Sequence, residues 1–478
     1  MDNPKLRVAL FFPRRIVWLI LTFLVMTAII AAFMRAAPGD PAQMLGPSMR
    51  TGQPVQGEIG SRLPLTLRLL GLATLIGMAL SVLIILVGVL VLWLRGKVPI
   101  LGAILQRLGQ MGVSLGIAMP AFILGLFLLY FFALKLRWFP VAGRASERAF
   151  DLGHPVLPVF TLAILPACLV ARSVLGEIAH YWVSAVENRS GLFLHAVLSF
   201  FGHGLIQAIG MLGGALFVEL VFALPGVGRL FVQSIFARDY PLVLGLVRAF
   251  LIWALVLRAL ADLVQGIDGF VLIKLEAVES EATVPTSIER PAYAKVLGFV
   301  WIAFCLLLVV VPLLQGVGGF LVGRDRIMEP SPADRFLPPG SESADGFTYA
   351  WGTDALGRDI RSRTRYALGL DLGSSLLIAL VVLIPTLLGG LLAGYLAKRR
   401  TIWADLLDDL VMFPVEVLTS LPGLILLAFI LATIGPGLRN LLVGLALAFI
   451  LPRGVRMVRN GWVAASPKKA LWLRLVGI

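Results

Sequence analysis

The run Ile16–Met34, IVWLILTFLVMTAIIAAFM, contains no charged residue and directly follows the pair Arg14 and Arg15. A helix of this length is close to the ~30 Å needed to cross the hydrocarbon core of a bilayer. The apolar region of a secretory signal is shorter, so the run predicts a retained first membrane-spanning helix. Lys5, Arg7 and the two arginines precede it, and cations beside a span favour the cytoplasmic side. The sequence therefore predicts a cytoplasmic N-terminus.

The composition of the whole chain agrees with a membrane protein. Of its 478 residues, 59% are hydrophobic and 14% are charged, and the mean hydropathy is +0.94. A soluble domain carries about 25% charged residues, so a soluble fold is excluded. The formal net charge of +14 could indicate nucleic-acid binding, but the basic residues mostly flank apolar runs and set membrane orientation instead. The two cysteines, Cys168 and Cys305, lie in apolar runs and predict buried thiols without a disulfide framework.

Further apolar runs of spanning length follow the first one. The runs lie near residues 16–36, 64–94, 111–134, 156–176, 198–223, 241–266, 296–321, 370–397, 408–433 and 439–456. We therefore predict an all-α polytopic membrane protein with about ten transmembrane helices.

The pattern of runs divides the chain into two halves. Residues 1–273 form a first repeat of six spans, and residues 274–294 form an acidic cytoplasmic linker. Residues 295–478 then form a second repeat of about four spans. Six crossings return the chain to the cytoplasm, so both halves begin on the same side and are parallel repeats. Arginines in the predicted outer stretch 323–364 oppose this topology, although long loops are largely exempt from the charge rule.

The most informative motif is Gly352–Asp359, GTDALGRD. Its glycines and aspartates predict a turn that leads into a helix, with Thr353 or Asp354 as the capping residue. The stretch closely resembles the signature of the second permease subunit in dipeptide, oligopeptide and nickel importers of the ATP-binding-cassette class. The positions that carry this family-signature turn are Gly352, Asp354, Gly357, Arg358 and Asp359. Later matches are Tyr366, Gly394-Tyr395, Phe413-Pro414, Gly435-Pro436-Gly437 and Arg453.

The first half resembles the partner permease subunit of the same family. The matching stretches are Arg35, Ala37-Pro38-Gly39-Asp40-Pro41, Arg62-Leu63-Pro64, Trp138-Phe139-Pro140-Val141-Ala142-Gly143, His154-Pro155-Val156-Leu157-Pro158, Glu219-Leu220-Val221-Phe222, Pro225-Gly226-Val227-Gly228-Arg229-Leu230 and Ala237-Arg238-Asp239-Tyr240-Pro241. The two resemblances follow in the order of the two subunits. They imply that both permeases are fused in one chain.

The segment between Pro225 and Tyr240 is too short to leave the membrane surface, so we predict a re-entrant hairpin. Irregular backbone at this depth requires cover from protein or from a water-filled cavity. Charged residues near it, Glu219, Arg229 and Asp239, are therefore candidates for a gate or a solute pathway. The alternative is a structural ion pair that holds the hairpin.

The resemblance implies a cytoplasmic coupling helix in each half that docks on an ATPase. In the first half only Tyr181, Ala185 and Gly191 fit the family pattern, and the basic residues that follow are largely missing. In the second half the corresponding stretch is Pro467–Ile478, where the sequence given ends. We therefore expect a degenerate coupling loop and a truncated second half.

The sequence predicts neither a phosphate-binding loop for ATP hydrolysis nor a metal site. No phosphate-binding loop occurs, because Gly96-Lys97 is followed by Val98 and lacks the earlier glycine. We expect no enzymatic activity and no cofactor. The four histidines, His154, His180, His195 and His203, are predicted to be packing or loop residues, with no metal site.

The sequence thus predicts a permease subunit of a peptide-type importer that forms the solute path in the bacterial inner membrane. The family implies two separate ATPase subunits and an extracytoplasmic solute-binding protein as partners. The alternative is a degenerate permease that serves as a structural or accessory subunit of a larger membrane complex. A secondary transporter is a third hypothesis.

Overall fold

The computed structural model describes residues 4–36, 46–140, 155–183, 189–279, 330–344, 346–399, 401–435 and 437–464, with the single residues 300 and 310. These residues form two compact units. The first unit comprises residues 1–282 and 385–478, and the second comprises residues 283–384.

The described residues of the first half form eight helices. They are α1 (Pro4–Ala36), α2 (Val55–Lys97), α3 (Pro99–Ala118), α4 (Ala121–Leu128, continued by a π-helix over Leu129–Lys135), α5 (Val156–Val183), α6 (Arg189–Val221), α7 (Val227–Phe236) and α8 (Tyr240–Glu279).

Among its described residues, the later part of the chain adds a short turn structure and five helices. These are a 3-10 turn (Pro332–Asp334), strands β1 (Ser341–Glu342) and β2 (Thr348–Tyr349), α9 (Ile360–Ala397), α10 (Ile402–Thr419), α11 (Gly423–Ile434), α12 (Leu438–Leu445, continued by a π-helix over Ala446–Ile450) and α13 (Leu451–Ala464).

The predicted fold class is confirmed. Among the described residues, eight helices are long and apolar enough to cross a bilayer. The bent pair α10 and α11 adds a ninth candidate, with a 76° bend between its two parts. The predicted span 296–321 lies outside the described residues.

One predicted span has the wrong boundaries. The run 111–134 is divided, because α3 ends at Ala118 and α4 begins at Ala121. Pro120 lacks a backbone N–H and disfavours the helical conformation in the residue before it. Met119 accordingly adopts an extended backbone, with φ −83° and ψ 115°. A hydropathy profile cannot detect this break because both sides of it are apolar.

Close contacts at small residues hold α2 against α5. A Cβ built on Gly77 would lie 3.2 Å from the carbonyl oxygen of Ala163. One turn further along α2, the Ser81 hydroxyl donates to the carbonyl oxygen of Ala167 at 3.1 Å. Small residues let two membrane helices approach closely, where dispersion forces and hydrogen bonds replace the hydrophobic effect.

The main core of the first unit joins helices from both halves of the chain. Its buried side chains include Phe231 of α7, Leu246 of α8 and Phe429 of α11. A Cβ on Gly213 of α6 would contact Pro422, in the bend between α10 and α11, at 3.4 Å. Helix α11 therefore packs against first-half helices within a single apolar core.

The second unit contains a compact turn structure ahead of α9. Strands β1 and β2 form an antiparallel hairpin that pairs Ser341 with Tyr349. The Tyr349 hydroxyl donates to the carboxylate of Asp334 at 3.0 Å, which ties the hairpin to the 3-10 turn. The division into two parallel repeats with a linker at 274–294 stays a prediction.

Candidate functional site

The region predicted to be a re-entrant hairpin is a turn followed by the short helix α7. Glu219, at the end of α6, is fully buried and accepts a hydrogen bond from the Thr66 hydroxyl at 2.6 Å. Its second oxygen accepts from the backbone N–H of Arg229 at 2.9 Å. The Thr66 hydroxyl in turn accepts from the backbone N–H of Val227 at 2.9 Å. Glu219 and Thr66 together cap the N-terminus of α7, where unpaired N–H groups favour a negative charge.

The other two predicted gate residues have different partners. Asp239 is fully buried and accepts from the backbone N–H groups of Met49 and Arg50 at 3.1 and 3.3 Å, and from the Ser48 hydroxyl. The Arg229 guanidinium donates to the carbonyl oxygen of Ala223 at 2.7 Å. Arg229 therefore stabilises the turn before α7, whereas Asp239 ties the end of the predicted hairpin to the turn at residues 48–50. The gate or pathway role of Glu219, Arg229 and Asp239 stays a prediction.

The predicted coupling residues are only partly described. Tyr181 belongs to the last turn of α5 and Gly191 to the first turn of α6, whereas Ala185 lies outside the described residues. The side chain of Tyr181 is also outside the description, so the docking role of this segment stays a prediction.

In the second unit, the signature turn is organised around Asp354. This carboxylate accepts from the backbone N–H groups of Leu356 at 2.8 Å and Arg358 at 3.0 Å. The guanidinium of Arg358 donates to it at 3.0 Å, and that of Arg363 also contacts it. Partial burial opposes ionisation, but the hydrogen bonds from Arg358 outweigh it and lower the pKa of Asp354 to about 2.

Both signature glycines, Gly352 and Gly357, have a left-handed backbone, with φ values of +74° and +77°. A Cβ on Gly352 would overlap the carbonyl oxygen of Leu337, and one on Gly357 would overlap that of Ser331. Both positions therefore require glycine for conformation and for space.

The predicted helix cap in this turn is wrong. Neither Thr353 nor Asp354 caps α9, because the chain turns once more before the helix begins at Ile360. Asp359 is the cap, and its carboxylate accepts from the backbone N–H of Ser362 at 2.9 Å.

The first unit contains a charged cluster that the sequence analysis did not identify as a site. Arg15 of α1 contacts Asp262 of α8 through two nitrogens, at 2.7 and 3.3 Å. A third nitrogen donates to Glu416 of α10 at 2.6 Å. Arg258 lies one turn before Asp262 and contacts it at 3.3 Å. Arg15 thus links α1 and α8, the first and last helices of the first half, to α10 of the second half.

Further polar contacts surround this cluster. Arg14 contacts Asp409 at 2.8 Å, and the indole N–H of Trp18 donates to the same carboxylate at 2.8 Å. Arg456 of α13 donates to the Thr419 hydroxyl at 2.8 Å, at the C-terminal end of α10. A cation at a helix C-terminus is favourable, because the last carbonyl groups carry partial negative charge.

A cavity of about 30 Å³ lies beside the cluster, which is large enough to hold water. Its lining residues are Arg15, Leu19, Thr22, Ile209, Ala254, Leu255, Arg258, Glu416, Thr419 and Ser420. Thr419 and Ser420 form the point at which α10 ends and the chain bends toward α11. The cavity therefore lies at a break between two helices, and many transporters place their solute or ion sites at such breaks.

The sequence did hold a signal for this cluster. Ionisable residues inside an apolar span are costly and usually functional, and Arg258, Asp262 and Glu416 all lie inside predicted spans. The contact that joins Arg15 to Glu416 crosses 401 residues of sequence, which no local pattern reveals. Among the described residues, no group of three His, Cys, Asp or Glu side chains is placed to hold a metal ion.

Comparison with known proteins agrees with this architecture. The family described as the inner membrane component of binding-protein-dependent transport systems matches residues 190–267. A probable peptide ABC transporter permease of Sinorhizobium fredii is 32% identical over 214 residues, which cover 41% of this chain and 66% of that protein. A putative peptide transport system permease of Brucella suis is 32% identical over 218 residues, covering 42% of this chain and 66% of the relative.

A longer match covers a further relative almost completely. The glutathione transport system permease of Salmonella typhimurium is 28% identical over 313 residues, which cover 53% of this chain and 95% of the relative. The chain thus spans just under two thirds of the two peptide permeases and nearly all of the glutathione permease.

The helical architecture and these matches support an inner-membrane permease of a peptide-type ABC importer, the class of protein to which the matched relatives belong.

Proposed function

We propose that this permease moves a peptide-like solute across the bacterial inner membrane and that the Arg15 cluster is a gate on the solute path. The observation that carries the proposal is the contact of Arg15 with both Asp262 and Glu416, beside a cavity at the bend between α10 and α11. Two separate ATPase subunits and an extracytoplasmic solute-binding protein would power and supply it. The names of the peptide and glutathione relatives support this solute class.

The geometry fits the closed state of such a gate. The cavity has a volume of about 30 Å³, far less than the roughly 300–1,000 Å³ of a site that holds a small-molecule ligand. Moving α10 away from α1 and α8 would break the contact between Arg15 and Glu416. Two-state movements of packed helices are the usual means of alternating access. The ion pair therefore stabilises the closed arrangement until energy from the partners separates the helices.

Solute leakage tests this gate. The full chain, purified with its native partners and reconstituted in vesicles, is assayed for ATP-independent efflux of labelled glutathione and of labelled trialanine. Glu416→Gln removes the charge but keeps the shape of the side chain. Removing one partner costs ~1 kcal/mol for an exposed ion pair and ~3–5 kcal/mol for a buried one, in the state that contains the pair. We therefore expect leakage to rise by roughly tenfold or more.

Arg107→Gln is the matched control, because Arg107 is an exposed arginine of α3. It should leave the leakage at the wild-type rate. If Glu416→Gln lowers the melting temperature but leaves leakage unchanged, the cluster is a structural brace and the gate proposal is wrong.

A second candidate function is the structural or accessory subunit. It is favoured by the apolar surface at the start of α6, beside the predicted coupling segment, where Phe193 is 73% exposed and Leu194 is 47% exposed. Such a surface suits a membrane interface or a non-ATPase neighbour better than a docking groove. Cysteines introduced at 181–191 in the native assembly should then cross-link to lipid or to subunits other than ATPases. A stoichiometric pair of ATPases cross-linked there would exclude this alternative.

A further inference from the structure

The charged side chains that line the cavity at the bend are two arginines and one glutamate. They are Arg15 of α1, Arg258 of α8 and Glu416 of α10. A third guanidinium lies behind the lining, since Arg456 donates to the hydroxyl of the lining residue Thr419 at 2.8 Å. A guanidinium donates hydrogen bonds and accepts none. The lining therefore suits an anionic group, which accepts hydrogen bonds and balances the positive charge.

Glu416 shows how a carboxylate binds at this lining. Its Oε1 accepts a hydrogen bond from Nη1 of Arg15 at 2.6 Å. Such a short distance is expected when both donor and acceptor are charged. In the closed arrangement, the carboxylate of Glu416 therefore occupies the place that the carboxylate of a bound solute would take.

Asp262 is shared between the two arginines of the lining. Arg15 contacts it at 2.7 and 3.3 Å, and Arg258 contacts it at 3.3 Å. Movement of α10 away from α1 and α8 removes Glu416 and leaves both guanidiniums with this one carboxylate. That state is unfavourable, because a partly buried charge that loses its partner keeps its desolvation cost without the attraction. The open gate therefore favours one further negative charge at this place.

The arginines, and not the hydroxyl groups at the end of α10, are the donors for that charge. The Thr419 hydroxyl donates to the carbonyl oxygen of Val415 at 2.9 Å. The Ser420 hydroxyl donates to the carbonyl oxygen of Val417 at 2.6 Å. Both hydroxyl protons are thus used within α10. Recognition then depends on charge, and a solute of the same shape without a carboxylate is a poor ligand.

We propose that a carboxylate of the solute replaces Glu416 on Arg15 and Arg258 when the gate opens. This inference rests on the proposed function and gives its gate a ligand, a peptide-like solute with a free carboxylate. A ligand shifts a two-state equilibrium only by the difference between its affinities for the two states. The carboxylate has this difference, because Glu416 fills its place in the closed state. Arg258 is accordingly a specificity-determining residue, whereas Arg15 also holds the gate closed.

Leakage of two matched peptides tests the exchange. Glu416→Gln opens the gate in the vesicle assay described above, and labelled trialanine is compared with labelled trialanine amide, which has no carboxylate. Trialanine should leak about tenfold faster, the factor expected for a hydrogen bond between charged groups. Addition of Arg258→Gln should remove the difference, and Arg258→Lys should keep it because the charge is retained. Arg107→Gln, a change in an exposed arginine of α3, should leave it unaffected.

Distances between helices give a second measurement that does not depend on flux. In the Glu416→Gln chain in lipid nanodiscs, Cys168 and Cys305 are replaced by alanine. Spin labels are attached through Val17→Cys on α1 and Leu410→Cys on α10, at two exposed positions. Trialanine should raise the population with the longer distance between α1 and α10, and trialanine amide should not. Size-exclusion profiles establish that each variant is folded.

The outcomes separate the exchange from the gate. Equal leakage of the two peptides, or a difference that survives Arg258→Gln, would overturn the exchange and leave the gate intact. A distance distribution that trialanine does not change would overturn the exchange as well. Leakage of neither peptide through the Glu416→Gln chain would contradict the proposed function and the exchange together.

Discussion

At the scale of single residues, carboxylates with the same chemistry have different structural roles because different groups surround them. Glu219 caps a helix, Asp239 holds a turn, and Asp262 pairs with Arg15. The sequence identified the first two as unusual because they lie near the boundary of an apolar run. It could not predict their contacts, because Thr66 and the turn at 48–50 come from distant parts of the chain.

Acid should weaken the signature turn through Asp354. Its pKa falls from 3.8 to about 2 in the folded chain, so the folded state favours the ionised carboxylate. Its stabilising effect is fully present above pH 4 and is lost as the pH falls toward 2. Hydrogen exchange of residues 352–363 should be slower in the wild type than in Asp354→Asn at pH 5 to 7. The two proteins should converge near pH 2. Equal exchange at neutral pH would contradict the role of this carboxylate.

At the scale of elements, the long apolar runs predicted nearly all of the helices, and the breaks between them were harder to predict. The run 408–433 is apolar enough overall to be predicted as one span, yet the chain bends by 76° between Thr419 and Gly423. Hydropathy measures only transfer into the bilayer, so it does not distinguish a straight helix from a bent pair. The backbones of α7 and α6 approach closely at Gly228, since a Cβ there would lie 2.9 Å from Cα of Leu216.

The packing of α7 predicts the effect of enlarging that glycine. Gly228→Val would push the valine side chain against the backbone of α6 and against the carboxylate of Glu219. Overpacking of this kind costs about 1–3 kcal/mol. We expect a lower melting temperature of the purified chain in detergent. Gly210→Val is the control, because no atom lies within 4 Å of a Cβ at Gly210. Equal melting of the two variants would refute the tight contact.

At the scale of the whole molecule, the charge rule and the count of spans predict the topology. Residues 274–290 and 398–405 should be cytoplasmic, whereas 135–155 and 323–364 should be outside. Single cysteines at 282 and 345, in a chain without its own cysteines, can be labelled from each side of sealed vesicles with a membrane-impermeant maleimide. Position 345 should react only from outside and position 282 only from the cytoplasmic side. Labelling of position 345 only from the cytoplasm would overturn the parallel repeats.

The long reach of Arg15 has a consequence for the synthesis of the protein. Its two partners are 247 and 401 residues further along the chain. At 5–20 residues per second, a ribosome needs roughly 20–80 s to make the later one. During that time α1 is already in the membrane with an arginine near its end, and such side chains extend toward the lipid headgroups until a partner arrives. The first ion pair can form as soon as α8 is inserted, whereas the second must wait for α10. The complete cluster can therefore form only after both halves of the chain have been synthesised and inserted.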